Sequence, residues 1–93
     1  MAKRFRNCIG PQVRKLRMAK GWTQEQLSAR LQLAGLHSID RVGVAKIESQ
    51  IRSAYDYEVA LIASVFAVDS GKLFPGIEEL QVRLDNLIEG SLD

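Results

Sequence analysis

Residues 22–27, Trp-Thr-Gln-Glu-Gln-Leu, constrain this chain more than any other stretch. Thr23 has the hydroxyl of a helix N-cap, and Gln26 stands three positions on, where its side chain can return to the Thr23 amide. Trp22 before the cap and Leu27 after it have the spacing of a hydrophobic staple, which fixes the angle at which the chain enters the helix. From here to Arg52 the pattern predicts two helices joined at an angle, the second carrying positive charge outward from its first turns.

Ahead of that stretch, Pro11 suits the first turn of a helix, because its missing N–H would have no partner there. Val13, Leu16 and Ala19 form the apolar stripe of this helix, with Ile9 just before it, and Gly21 supplies a left-handed stop. Arg14, Lys15, Arg17 and Lys20 place positive charge towards the negative end of its dipole. The helix opened by Thr23 carries Leu27, Leu31 and Ala34 at core spacing and ends at Gly35. Residues 36–39 form a loop, and Asp40 caps a third helix over 41–49. Val44 and Ile47 point inward, as does the following Ile51, while Arg41, Val42, Ala45, Lys46 and Ser49 remain outside. Gly43 lets its backbone lie close against something.

Asp56 is read as the cap of a fourth helix through Ala67, which buries Val59, Ile62, Ala63 and Phe66, with Tyr55 packed near its start. Asp69 or Ser70 caps one short turn ending at Leu73-Phe74, and Pro75-Gly76 punctuates the chain. A last helix from about Ile77 to Glu89 aligns Ile77, Leu80, Leu84 and Leu87, with Ile88 beside them. This helix either folds back on its own domain or pairs two copies. No strand alternation and no internal repeat interrupts the pattern, so the fold class is all-α.

The 93 residues, 46% of them hydrophobic, suffice for one small domain with its own core. A single cysteine, Cys8, permits no internal disulfide and no four-ligand zinc site, and a half-buried thiol is its expected state. The lone His37 falls in a loop and reads as polar surface. No apolar run reaches membrane-spanning length, and the start of the chain lacks the apolar segment of a secretory signal, so a cytoplasmic protein is expected. Charge is strongly polarised. Residues 1–53 hold eleven Lys and Arg against three Asp and Glu, whereas residues 54–93 hold two against eight. A basic half beside an acidic half suggests a polyanion on one side and a different partner on the other.

Ile9-Gly10, Val13, Leu16-Arg17, Lys20–Gln24, Leu27, Leu31, Val44, Ile47-Glu48, Ile62-Ala63, Val68 and Leu73-Phe74 occur in an order that resembles the phage-repressor/Cro-type (XRE-like) helix-turn-helix family. The resemblance implies a compact five-helix repressor-like bundle over residues 9–75. A basic lead-in, residues 1–8, precedes it. An additional C-terminal amphipathic helix, residues 76–93, follows as a candidate dimerisation element. It further implies that Arg41, Val42 and Lys46 face base edges of double-stranded DNA. Thr23 and Gln24, at the amino end of the second helix, and Arg52 are implied to meet the DNA backbone, and Arg17 and Glu48 to tie the first helix to the third. Gly43 would let the third helix sit deep in the groove. One departure stands out: Gln32 replaces the family's turn glycine, and the connection up to Ile39 is longer than usual. Gln32, His37 and Ser38 on that connection are expected to face solvent.

The expected function is that of a sequence-specific DNA-binding transcriptional regulator, acting as a homodimer without cofactor or metal. No phosphate-cradling glycine loop, His/Glu metal motif or paired nucleophile points to an enzyme. The alternative is a protein-interaction module of antitoxin or adaptor type, whose acidic, apolar second half grips a basic protein partner.

Overall fold

The computed structural model describes residues 4–88, all of whose regular structure is helical. The elements are α1 (Gly10–Ala19), α2 (Gln24–Leu33), α3 (Arg41–Glu48), α4 (Asp56–Val65), a 3-10 turn (Ser70–Leu73), α5 (Ile77–Val82) and α6 (Leu84–Ile88). Lys3, Glu89 and Asp93, which entered the charge pattern, lie outside the described residues, as does the expected end of the last helix at Glu89. The all-α expectation holds.

The expected caps of α2 and α3 are present. Thr23 Oγ1 accepts from the Gln26 amide (3.0 Å) while Gln26 Oε1 accepts from the Thr23 amide (2.8 Å), and Asp40 Oδ1 accepts from the Gly43 amide (2.8 Å). Each such cap contributes about 1 kcal/mol. The cap of α4 differs from expectation. Tyr55 occupies the cap position and Asp56 is the first helical residue; Glu58 reaches back to accept from the Tyr55 amide at 2.9 Å.

Four helices end in the same way. After α1, α2, α3 and α4 the chain turns through a left-handed residue: Gly21 (φ 72°), Gly35 (97°), Gln50 (66°) and Ala67 (58°). The amide after each returns to a carbonyl five residues back: Trp22 to Arg17, Leu36 to Leu31, Ile51 to Lys46 and Val68 to Ala63, all at 2.9–3.1 Å. This paired-bond ending satisfies the terminal carbonyls and sends the next residue back along the helix.

At α2 the same geometry corrects two expectations. Ala34 becomes the exposed cap residue, and Leu36, thrown inward by the turn, is buried in its place. Ile39 is also buried, so the 34–40 connection is anchored in the core at two points. At α3, Ile51 was expected inward but is half exposed, because Gln50 takes the interior position and donates its Nε2–H to the Asn7 carbonyl (3.0 Å).

The core comprises Ile9, Val13, Leu27, Leu31, Leu36, Ile39, Val44, Ile47, Val59, Ile62, Ala63, Phe66 and Leu73. Each large side chain among them contributes roughly 1.5–3 kcal/mol by leaving water. Trp22 packs on its edge and stacks on Phe66 with ring centroids 5.6 Å apart. The carbon of Arg30's guanidinium stands 4.2 Å from the Trp22 ring centroid.

The lead-in is pinned at several points. Asn7 Oδ1 accepts from the Ile9 and Gly10 amides, and Asn7 Nδ2 donates to the carbonyls of Ile47 and Arg52. Gly10 then sits directly on the end of α3; a Cβ there would collide with the Ile47 carbonyl oxygen.

The single C-terminal helix expected over 77–89 is broken at Arg83, whose amide is shared between the Glu79 and Leu80 carbonyls. A helix this short depends on tertiary packing, and Ile77, Val82 and Ile88 remain exposed. The lead-in instead holds the second piece, with Phe5 N–H donating to the Asn86 carbonyl and Arg4 Nε–H to that of Leu87.

Candidate nucleic-acid interface

α3 divides into two edges. Gly43, Val44, Ile47 and Glu48 are buried, while Arg41, Val42, Lys46 and Ser49 are exposed, Val42 at 49%. The division follows from a spacing of three and four between apolar residues, which leaves the first-turn side chains on the outside. Arg41 and Val42 line a cleft with Glu25, Ser28, Ala29 and Gln32 of α2. Val42 and Lys46 line a second cleft with Ser38, Ile51 and Arg52. The three expected base-facing residues are thus all exposed, Arg41 and Val42 in the cleft beside α2 and Val42 and Lys46 in the cleft beside Ser38 and Arg52.

Arg17 and Glu48 form the expected pair. Arg17 donates Nε–H to Glu48 Oε2 (2.6 Å) and Nη2–H to Oε1 (3.0 Å), with side chains only 13% and 4% exposed. Bonding to Glu48 raises the Arg17 pKa against the opposing effect of burial, so the guanidinium stays charged. Its Nη1–H donates to the Trp22 carbonyl at 2.8 Å, so one side chain joins α1, the α1–α2 turn and α3.

Gln24 Nε2 donates to Glu48 Oε1 at 3.1 Å, which aims the Gln24 amide into a cleft shared with Arg14, Arg17, Ala45 and Ser49. Arg14, exposed in that cleft, was not singled out as a site residue; its position one turn before Arg17 on the same helix was the available signal.

Two of the expected site residues are engaged within the chain. Arg52 is paired with Glu58: Nη1 donates to Glu58 Oε1 (3.0 Å) and Nη2 to Glu58 Oε2 (2.9 Å), with Nη1 also donating to the Ser53 carbonyl (2.8 Å). Glu58 is fully buried and recruits it. Gly43 does lie in a close approach, but to its own chain: a Cβ there would stand 3.2 Å from Ile39 Cγ2 and 3.3 Å from Asp40 Oδ1. The connection residues expected in solvent, Gln32, His37 and Ser38, are all exposed, and the Ser38 hydroxyl also donates to Glu58 Oε2 at 3.0 Å. Cys8 is half buried; burial raises its thiol pKa and a hydrogen bond with its own backbone opposes this.

A capped helix set at a fixed angle to a second helix, whose inner edge is locked by an Arg–Glu fork and whose outer edge is free, defines a helix-turn-helix domain of repressor type. The sequence matches no protein-family model and none of the curated proteins. Among solved structures it is similar to the restriction-modification controller protein C.AhdI from Aeromonas hydrophila. Identity is 30%, covering 71% of this chain and 87% of that one, with a TM-score of 0.61. It is also similar to the hypothetical transcription factor NHTF from Neisseria, at 25% identity over 86% and 84% of the two chains, with a TM-score of 0.65. The DNA-binding domain of BldD shares the fold, with a TM-score of 0.64 at 20% identity over 81% of this chain and all of that one. The chain belongs to the phage-repressor/Cro-type (XRE-like) helix-turn-helix family.

Proposed function

We propose that this chain is a DNA-binding transcriptional regulator that recognises its sites by placing α3 in the major groove of double-stranded DNA. The observation that carries the reading is the free outer edge of α3, where Arg41, Val42 and Lys46 stand together while the inner edge is held by the core and by Glu48. A helix fits the major groove, and side chains from its first turns reach base edges. Arg41 suits a two-pronged bond to guanine, an interaction of roughly 1–3 kcal/mol in discrimination. Val42 suits a thymine methyl, and Lys46 a guanine or a phosphate.

The DNA backbone is met from the amino end of α2. Thr23 has a hydroxyl proton to donate while its oxygen serves the cap, and Gln24 has a second amide proton beyond the one given to Glu48. Arg14, exposed in the same cleft as Gln24, supplies a cation there that is not held by an acidic partner as Arg52 is. The similarity to proteins described as a restriction-modification controller and a transcription factor supports the regulatory role. Residues 9–75 act as the DNA-binding unit and residues 76–93 pair two copies, so that two half-sites are read about one helical turn apart. The place of action is the cytoplasm.

Selection from a random duplex library, followed by binding measurements on the selected site, tests this. Arg41→Ala should relax preference at one base pair. Arg14→Ala and Gln24→Ala should weaken all sequences alike, and Arg14→Ala should lower the salt slope by about one. Uniform weakening by Arg41→Ala as well would count against base reading by α3.

A further inference from the structure

Both ends of α3 are moored to a single carboxylate. Ser38 lies two residues ahead of the Asp40 cap, and its hydroxyl donates to Glu58 Oε2 at 3.0 Å. Arg52 lies beyond the other end of α3 and grips the same carboxylate with two bonds, at 3.0 and 2.9 Å. The Tyr55 amide completes the set by donating to Oε1 at 2.9 Å. Glu58 belongs to the first turn of α4 and has 0% exposure.

An ionised carboxylate out of water is tolerable only when its oxygens are bonded, and here each oxygen accepts two donors. A fully bonded buried group has little geometric freedom. Three of the four donors, the Ser38 hydroxyl and both Arg52 Nη groups, belong to the segments that lead into and out of α3. Between the Leu36 amide, bonded to the Leu31 carbonyl, and the Asp40 cap, residues 37–39 otherwise rely on Ile39 in the core, and apolar burial is not directional. The Ser38 bond is directional, and Ser38 shares a cleft with Val42 and Lys46, so a shift at Ser38 is felt at the outer edge of α3.

We propose that Glu58, Ser38 and Arg52 form a positioning device that sets the pose of α3, with Ser38 its specificity-determining member. The consequence for specificity rests on the reading of α3 as the base-contacting helix. Recognition groups must be held within roughly 0.5 Å of their working geometry. Losing the Ser38 bond frees the entry to α3 while the Arg52–Glu58 pair keeps the fold intact.

Ser38→Ala and Ser38→Thr, in the full chain, provide the test. Affinity is measured at one salt concentration for the duplex selected by the wild type and for a scrambled duplex of equal length. Amide exchange is followed in parallel at Gly43 and Val44 in α3 and at Val13 in α1. Ser38→Ala is expected to weaken the selected duplex about five- to tenfold, comparable with the effect of a mismatched base pair, while the scrambled duplex stays within about twofold. Exchange at Gly43 and Val44 should quicken with Val13 unchanged, and Ser38→Thr, which keeps the hydroxyl, should restore both readouts. Unchanged exchange at Gly43 and Val44 overturns the positioning role, as does equal weakening of both duplexes. A wild type that does not distinguish the two duplexes overturns the base-reading function instead, and the exchange measurement still decides whether Ser38 holds α3.

Discussion

Gln50 and Ala67 hold left-handed backbone conformations that glycine would adopt without strain, and they do so for different reasons. Gln50 is buried and bonded to Asn7, so its side chain offsets the backbone cost. Ala67 is exposed and its methyl group gains nothing comparable. The left-handed conformation costs an L-residue roughly 1–2 kcal/mol, whereas glycine loses about 0.5–1 kcal/mol through its freer unfolded chain. Ala67→Gly is therefore expected to stabilise the protein by about 0.5–1 kcal/mol, raising Tm by about 2–8 °C in a thermal melt. Gln50→Gly should lower Tm despite a similar φ, and equal responses from the two variants would refute this account. Glu58 carries a second prediction at this scale. Burial alone would raise its pKa, but the bonds from Arg52, the Tyr55 amide and Ser38, with the Arg52 charge, outweigh burial and hold it below its ordinary 4.5. A carboxyl depressed in the folded state contributes stability that is complete above the unfolded-state pKa and is lost as pH falls through the folded value. Urea midpoints should thus hold from neutral pH to about 5 and fall below it. In Glu58→Gln that acid limb should be shallower, and an identical limb would mean other carboxyls account for it.

The junction of α1, α2 and α3 turns on Glu48, whose carboxylate accepts from Arg17 twice and from Gln24 once. With both ionic side chains largely out of solvent, removal of one partner strands the other. Glu48→Ala should cost roughly 3–5 kcal/mol in urea unfolding, and Arg17→Met a similar amount. The double variant Arg17→Met/Glu48→Ala, which leaves no stranded charge, should lose less than the sum of the single losses; strict additivity would mean that the fork does not couple the helices. α1, α2 and α3 were legible in the sequence because their periodicity coincided with local stop signals at Gly21 and Gly35 and with the caps Thr23 and Asp40, although Ala19, Ala34 and Ile51, expected inward at their ends, are exposed. The start of α1 was less so, since Asn7, which accepts from the Ile9 and Gly10 amides there, lies within a lead-in read as irregular, and its other bonds reach residues forty and more positions away. Gln50 and Ala67 end helices without the glycine that marks such ends. Leu36 and Ile39 were placed in a loop by their spacing, yet the turn at Gly35 swings them into the core. Of the candidate site, the outer edge of α3 followed from helical spacing. The capture of Arg52 by Glu58 did not, because it depends on how a linker folds over α4.

On the scale of the whole molecule, the bundle has its free cationic edge on α3 and a little-covered apolar segment at α5–α6. The described residues extend over 41 × 24 × 23 Å, and the lead-in holds α6 through the bonds of Phe5 and Arg4. Ile77, Val82, Leu84 and Ile88 are exposed there, Val82 at 82%, among Glu78, Glu79 and Asp85. Arg83, the only cation of α5–α6, is paired with Glu79 at 2.9 Å. Clustered exposed apolar side chains mark an interaction surface, and the surrounding charge distinguishes its two candidate occupants. In a homodimer, two acidic segments meet, so association should persist or tighten as salt screens their repulsion; a basic protein partner would be released by the same salt. Sedimentation equilibrium at roughly 0.05 and 0.5 M salt is expected to show a dimer at both, with no loss at the higher concentration. Val82→Glu combined with Leu84→Glu should yield a monomer whose helical circular dichroism is preserved. That monomer should still bind a single half-site but lose the joint occupancy of two half-sites that a dimer confers. A wild type that stays monomeric at both salts would give the apolar segment to a different protein, and salt-sensitive capture of a basic partner by the wild type, lost in the double variant, would then support the adaptor or antitoxin reading.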